Sequence, residues 1–175
     1  AMPLSYAEGF QWLAAHTRPG SVVGTFSPAA NADLGLHTHN KIFLPFGMSS
    51  AASDEELWQR YMILAKIWGI DADRFAARIK SGDGVYLFGD KYSSRAFDAG
   101  FFTYRWAMPE EHLAGKAKIY SEFFRSKNPL GIYYQLDYLF VDKKEFPLKK
   151  VPRQFFSSLA NVFENERVAI YEIHE

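Results

Sequence analysis

Apolar residues recur at helical spacing from 5 to 17, where Tyr6, Phe10, Leu13 and Ala14 share a face. Ser5 with Glu8 forms an S-x-x-E capping box at the start of that helix, and Arg18-Pro19-Gly20 ends it. Ser21 to Phe26 is β-branched and apolar, which predicts a short buried strand stopped by Ser27-Pro28. One or two helical turns are expected over 31–36, then a turn at His37-Thr38-His39-Asn40 and a second strand from Lys41 to Phe46. Ser53 with Glu56 is a second capping box and opens the clearest helix of the chain, 54–68, with Leu57, Tyr61, Leu64, Ala65 and Trp68 on one face. Gly69 closes it, Asp71 caps a further helix to Ile79, and Ser81-Gly82-Asp83-Gly84 is a turn.

Val85 to Gly89 reads as a third strand. The stretch 91–108 lacks a clean period and fits either an aromatic binding loop or a β-hairpin packed on the core. Pro109 with Glu110 and Glu111 starts a helix that runs to Arg125, because Pro fits a first turn and acids meet the positive end of the dipole. Leu136 to Val141 reads as a strand, Pro152 to Phe163 as a helix with Phe155, Phe156, Leu159 and Val162 inward, and Arg167 to Ile173 as the last strand.

No repeat or linker divides the chain, so residues 3–175 are expected to form a single domain. Strands kept apart by helices imply an α/β fold: a three-layer, mainly parallel sheet of about five strands covered by helices on both faces, Rossmann-like in topology. Val22, Val23, Ile42, Leu44, Val85, Leu87, Leu139, Val141, Val168 and Ile170 are its expected core.

Composition narrows the function. With 175 residues the chain can bury ~70% of its unfolded surface, so it needs no disulfide or structural metal. The absence of cysteine excludes thiol chemistry and iron–sulfur ligation. Twenty Lys and Arg balance twenty Asp and Glu, which argues against a nucleic-acid partner. The longest run without a charge, Pro19 to Ala32, has 14 residues with two Pro and two Gly, short of the ~20 apolar residues of a membrane span. Aromatic residues make up 17% of the chain, more than a core of this size requires. Exposed rings serve as sugar platforms, protein interfaces and membrane-boundary anchors. Ala1 before Met2 reads as the remnant of a cleaved tag, and the chain as a piece of a longer protein.

The familiar chemical motifs are weak. Neither G-x-G-x-x-G nor G-x-x-x-x-G-K-[ST] occurs, so no nucleotide and no cofactor is expected. Gly47-Met48-Ser49-Ser50-Ala51 resembles a serine-hydrolase elbow, but the following helix starts too late to expose the hydroxyl sharply. Asp33, His37 and His39 offer three metal ligands, against a polar turn in which Lys41 places a cation beside them. Ser27, Asp90 and Asp142 follow expected strands, and ligands of open α/β sheets collect at such carboxyl ends. Tyr92, Arg95, Phe101, Phe102, Tyr104, Arg105 and Trp106 form a candidate binding edge.

Four segments occur together in a familiar order. Phe10-Gln11-Trp12-Leu13 to Thr17-Arg18-Pro19-Gly20-Ser21-Val22-Val23, then Asn40-Lys41-Ile42-Phe43, then Leu136-Asp137-Tyr138-Leu139-Phe140-Val141, and finally Val162-Phe163-Glu164-Asn165 through Val168-Ala169-Ile170-Tyr171-Glu172-Ile173 form the series. It resembles the soluble domain that follows the last transmembrane helix of bacterial membrane proteins of the glycosyltransferase C-type superfamily. His37-Thr38-His39 and the aromatic stretch 91–108 depart from that pattern. The resemblance implies an extracytoplasmic, non-catalytic accessory domain on the bacterial cytoplasmic membrane. It also implies partnership with the transmembrane region of the same polypeptide, with a glycan or a lipid-linked sugar as ligand. The superfamily's catalytic carboxylate lies in a transmembrane-region loop, so no catalytic residue is carried over. The rival expectations are a self-sufficient soluble enzyme, metal-dependent or hydrolytic, and a pure protein-interaction module.

Overall fold

The computed structural model describes residues 2–47, 50–98, 101–126, 134–148 and 158–174, with side chains undescribed at 94–98, 101–105 and 158. In chain order the elements are α1 (Leu4–His16), β1 (Val22–Gly24), α2 (Pro28–His37), β2 (Lys41–Ile42), α3 (Asp54–Ile67), α4 (Ala72–Arg78) and α5 (Gly84–Phe88). They are followed by β3 (Ser93–Asp98), β4 (Phe101–Trp106), α6 (Glu110–Arg125), β5 (Tyr138–Asp142), β6 (Ser158–Glu164) and β7 (Val168–His174).

The fold is α/β, built on a five-stranded sheet of order β2-β1-β5-β7-β6. The sheet is mixed and only partly parallel: β2, β1 and β5 run parallel, whereas β7 is antiparallel to both β5 and β6. Successive strand residues point to opposite faces, so two cores form. Val23, Phe140, Val168 and Ile170 meet Tyr6, Phe10 and Leu13 of α1 and Ala30 and Leu34 of α2. Val22, Leu139, Val141 and Ala169 face the other way, onto the side held by Leu57, Tyr61 and Leu64 of α3 together with Phe75 of α4 and Tyr120 of α6. Ser53 and Asp71 cap α3 and α4 as their sequence positions predict, accepting from the amides of Glu56 and Arg74.

Several expectations are corrected. The "third strand" at 85–89 is helix α5, and Val85 is 44% exposed rather than core, while Leu87 is buried. Gly84 starts that helix directly beneath the Trp106 indole, which leaves no room for a Cβ. The helix expected over 152–163 is contradicted at its C-terminal half, where 158–164 is strand β6. Its Phe155 and Phe156 lie outside the described residues. With β6 and β7 forming an antiparallel hairpin, the mainly parallel sheet is also overturned. α1 starts at Leu4 behind Pro3 with no side-chain cap, so Ser5 is a buried helical residue and not the expected capping residue. Ile42 is only partly buried. Within the aromatic stretch, β3 and β4 pair antiparallel in a two-stranded sheet separate from the main sheet. Among the described residues, no helix is long and apolar enough to cross a membrane.

Candidate functional site

The connections out of the parallel strands diverge at β1. From β1 the chain passes through α2 on one face to reach β2, then returns through α3 to α6 on the opposite face to reach β5 on the other side of β1. Ligands of open α/β sheets lie in the crevice beyond the strand carboxyl ends at such a reversal. Two of the three expected strand-end residues meet there. Ser27, the N-cap of α2, and Asp142, the last residue of β5, are joined through the Tyr6 phenol. That phenol lies 3.2 Å from Ser27 Oγ and donates to Asp142 Oδ2 at 2.5 Å. Arg167 adds two donors to the same oxygen at 3.0 and 2.9 Å, and the amides of Lys144 and Glu145 bond Oδ1 at 2.8 and 3.0 Å.

Burial alone would raise the Asp142 pKa. The bonds from Tyr6, the Glu145 amide, Arg167 and the Lys144 amide outweigh it and hold the carboxyl below its ordinary value. The Tyr6 phenol is pushed up to about 12 by burial and by the Asp142 carboxylate. With its side chain 0% exposed, Asp142 works as a structural knot that ties α1, β5 and the turn leading into β7 together.

The opening lies on the α3/α4 side. A cleft of about 370 Å³ is floored by Phe26, Trp68 and Phe146 and edged by Arg74, Arg78 and Glu145. Phe26 follows β1, Phe146 follows β5, and Trp68 ends α3, so the cleft sits at the crevice that the topology marks. The Trp68 indole N–H donates to the Phe146 carbonyl at 2.9 Å, which fixes the floor. The Arg78 guanidinium carbon lies 4.6 Å from the Phe26 ring centroid and 5.2 Å from that of Phe146. Its donors fork onto Asp83 at 2.8 and 3.2 Å, and the Tyr61 hydroxyl donates to Asp83 at 2.6 Å. Burial, with the Asp83 carboxylate beside it, pushes the Tyr61 phenol well above its usual range.

Behind Phe26 lies a cavity of about 20 Å³, large enough for one water, which Asn31, Leu44 and Tyr86 help to line. The Asn31 amide nitrogen donates to Leu44 O at 3.0 Å, so its Oδ1 is oriented by that bond, and Oδ1 is buried without a protein partner.

The other candidate residues are dispersed. Asp90 belongs to a 3₁₀ turn and is exposed, because the strand it was expected to follow is α5. His39 Nε2 sits 2.9 Å from the Thr17 carbonyl, and the His37 ring stacks on Phe10. Asp33, His37 and His39 do not converge, and among the described residues no group of three such side chains is placed to hold a metal. Tyr92 and Trp106 make an edge-to-face contact at 5.9 Å and pack against the α3 core, so these two members of the aromatic edge face inward. The side chains of Arg95, Phe101, Phe102, Tyr104 and Arg105 lie outside the described part of the structure, as do Met48 and Ser49 of the elbow-like motif.

The residues of the cleft were not singled out from sequence. Arg74 and Arg78 stand one helical turn apart on α4 beside the Gly82 turn, and this i, i+4 pair of like charges was the available signal. Comparison with protein-family models, curated proteins and solved structures finds no match to this chain.

Proposed function

We propose that this chain is a non-catalytic binding domain that holds a saccharide ring in the Phe26–Trp68–Phe146 cleft, as an accessory part of a membrane glycosyltransferase-like protein on the extracytoplasmic face. The observation that carries the reading is the place and lining of the cleft. It lies at the strand-order reversal, offers the partly exposed Phe146 ring, beside the buried Phe26 and Trp68, to the apolar face of a sugar ring, and is edged by guanidinium and carboxylate groups suited to hydroxyls. A binding role is favoured over proton transfer because Arg78 is paired with Asp83, and Glu145 with Arg167. The ordered motifs from Phe10 to Ile173 support the parent assignment.

Titration of the ¹⁵N-labelled domain with neutral and acidic mono- and oligosaccharides tests the site. Shifts should centre on the Trp68 indole N–H and on the Gly69, Ile70 and Ser81 amides, and Phe146→Ala should weaken them. Shifts confined to other surfaces would remove the cleft from consideration. The reading frame upstream of Pro3 tests the parent assignment, which requires multiple apolar segments of ~20 residues there.

A further inference from the structure

Among the described residues, three charged side chains edge the cleft, and two of them have close ion-pair partners. Arg78 is forked onto Asp83 and held between the Phe26 and Phe146 rings, with 28% of its side chain exposed. Glu145, its side chain 55% exposed, accepts at 2.6 Å from Arg167, a guanidinium that it shares with the buried Asp142. Arg74 differs: its nearest carboxylate, Asp71, lies 3.7 Å away, and the two side chains are 65% and 54% exposed. An ion pair that long and that exposed neutralises little charge, since water screens it and both side chains keep their freedom. Asp71 is moreover occupied as the N-cap of α4, where its Oδ1 accepts from the Arg74 amide. Among the described residues of the rim, the Arg74 head is therefore the most loosely paired cation, one helical turn from Arg78.

We infer that the ligand of this cleft carries an oxyanion that Arg74 receives, so that the saccharide is an acidic one bearing a carboxylate or a phosphoryl group. This rests on the saccharide reading above. A guanidinium presents a planar fork of donors that matches either oxyanion, and Arg74 can turn toward it without breaking a bond that holds the fold. The partly exposed Phe146 ring supplies apolar contact, and the rim charge selects among rings.

Binding of glucose, glucuronate and glucose 1-phosphate is followed through the Trp68 indole N–H signal in the wild-type domain and in Arg74→Gln and Arg74→Lys. Both acidic sugars should bind about two- to fivefold more tightly than glucose, the preference expected of one largely exposed charge pair. Arg74→Gln should bring all three sugars to similar affinity, Arg74→Lys should keep part of the preference, and 0.5 M NaCl should erode it. Whichever acidic sugar binds more tightly identifies the oxyanion as planar or tetrahedral, and either result supports the proposal. Equal binding of glucose and glucuronate by the wild type overturns it while leaving the saccharide site intact. A preference that survives Arg74→Gln also overturns it. If no sugar moves the Trp68 signal, the saccharide reading fails and this inference with it. Arg74 is exposed, so its variants retain the fold, and an unchanged thermal midpoint verifies this.

Discussion

The hydroxyl of Tyr6, on the first helix, donates a 2.5 Å hydrogen bond to the carboxylate of Asp142, 136 residues further along the chain. This bond joins α1 to the carboxyl end of β5, and Arg167 of the β6–β7 hairpin closes on the same oxygen. Tyr6→Phe should cost ~1.5–3 kcal/mol, as expected for a hydrogen bond to a buried charge. The pH dependence has a definite sign. Asp142 is held below its ordinary value in the fold, so its stabilisation is complete above the unfolded value of ~4 and is lost as pH falls through the lowered folded value. The Tyr6 phenol is raised to about 12, so its contribution is complete below the unfolded value of ~10 and is lost as pH rises toward 12. The stability difference between wild type and Tyr6→Phe, read from urea midpoints, should therefore be widest near neutrality and shrink at both extremes. A difference that does not change from pH 2 to 8 would mean that the phenol does not help to ionise Asp142.

Two helical glycines should respond to alanine with opposite signs. A Cβ at Gly9 in α1 would stand 2.9 Å from the Phe140 ring and 3.1 Å from a Val168 methyl, both fully buried. The ~1 kcal/mol gained in helix propensity is then opposed by ~1–3 kcal/mol of overpacking, and Gly9→Ala should be net destabilising. At Gly115 in α6 a Cβ meets nothing within 4 Å, so Gly115→Ala should stabilise by up to ~1 kcal/mol. Thermal melts of the two variants read the signs directly.

The same close packing explains which parts of the fold were legible. The helix over 54–67 showed in the sequence because cap, apolar stripe and C-terminal glycine all agree. Val85-Tyr86-Leu87-Phe88 did not, since an apolar run of four or five residues has no period to separate strand from helix. What decides it is tertiary: Gly84 is pressed under Trp106, while Val85 turns outward. Leu159 and Val162 likewise carry a helix-compatible spacing, overridden by pairing with β7. The readable clue was Asn165, whose side-chain oxygen accepts from the Arg167 and Val168 amides and so forms the tight turn between the two strands. Of the candidate site, the convergence of Ser27 with Asp142 follows from strand ends alone. The cleft beside it needs Phe26, Trp68, Arg78 and Phe146 from four separate segments, and no local pattern links them.

Leu64 tests the α3 face. Its side chain is fully buried, and its Cδ2 would lie 3.0 Å from a Cβ built on Gly24 of β1. Leu64→Ala should cost ~2–5 kcal/mol through lost burial and the cavity left behind. Gly24→Ala should also destabilise, because its Cβ would meet both Leu64 and Leu136 within about 3.0 Å. In the double variant the alanine at 24 gains the room that Leu64 gave up, so the two losses should sum to more than the measured total. Strict additivity in denaturant melts would mean that the strand and helix do not share this space.

The two arginines of α4 should differ in how firmly they are tied to the fold, and double-mutant cycles separate them. Arg78 and Asp83 form a bidentate pair with 28% and 17% of their side chains exposed, roofed by aromatic rings and braced by the Tyr61 hydroxyl. A cycle through Arg78→Met and Asp83→Asn should return a coupling of ~1–2 kcal/mol, because removing either partner leaves the other half-buried and unmatched. Arg74 and Asp71, 3.7 Å apart on the open side of the helix, should couple by less than ~0.5 kcal/mol in the cycle through Arg74→Gln and Asp71→Ser, which keeps a capping hydroxyl at the helix start. The contrast carries over to binding. Arg78 is locked in place as part of the wall, whereas Arg74 is free to close on an anion, so only Arg74→Gln should change the charge preference of the cleft at unchanged stability. A coupling at Arg74–Asp71 as large as that at Arg78–Asp83 would show that the rim charge is already held by the protein itself.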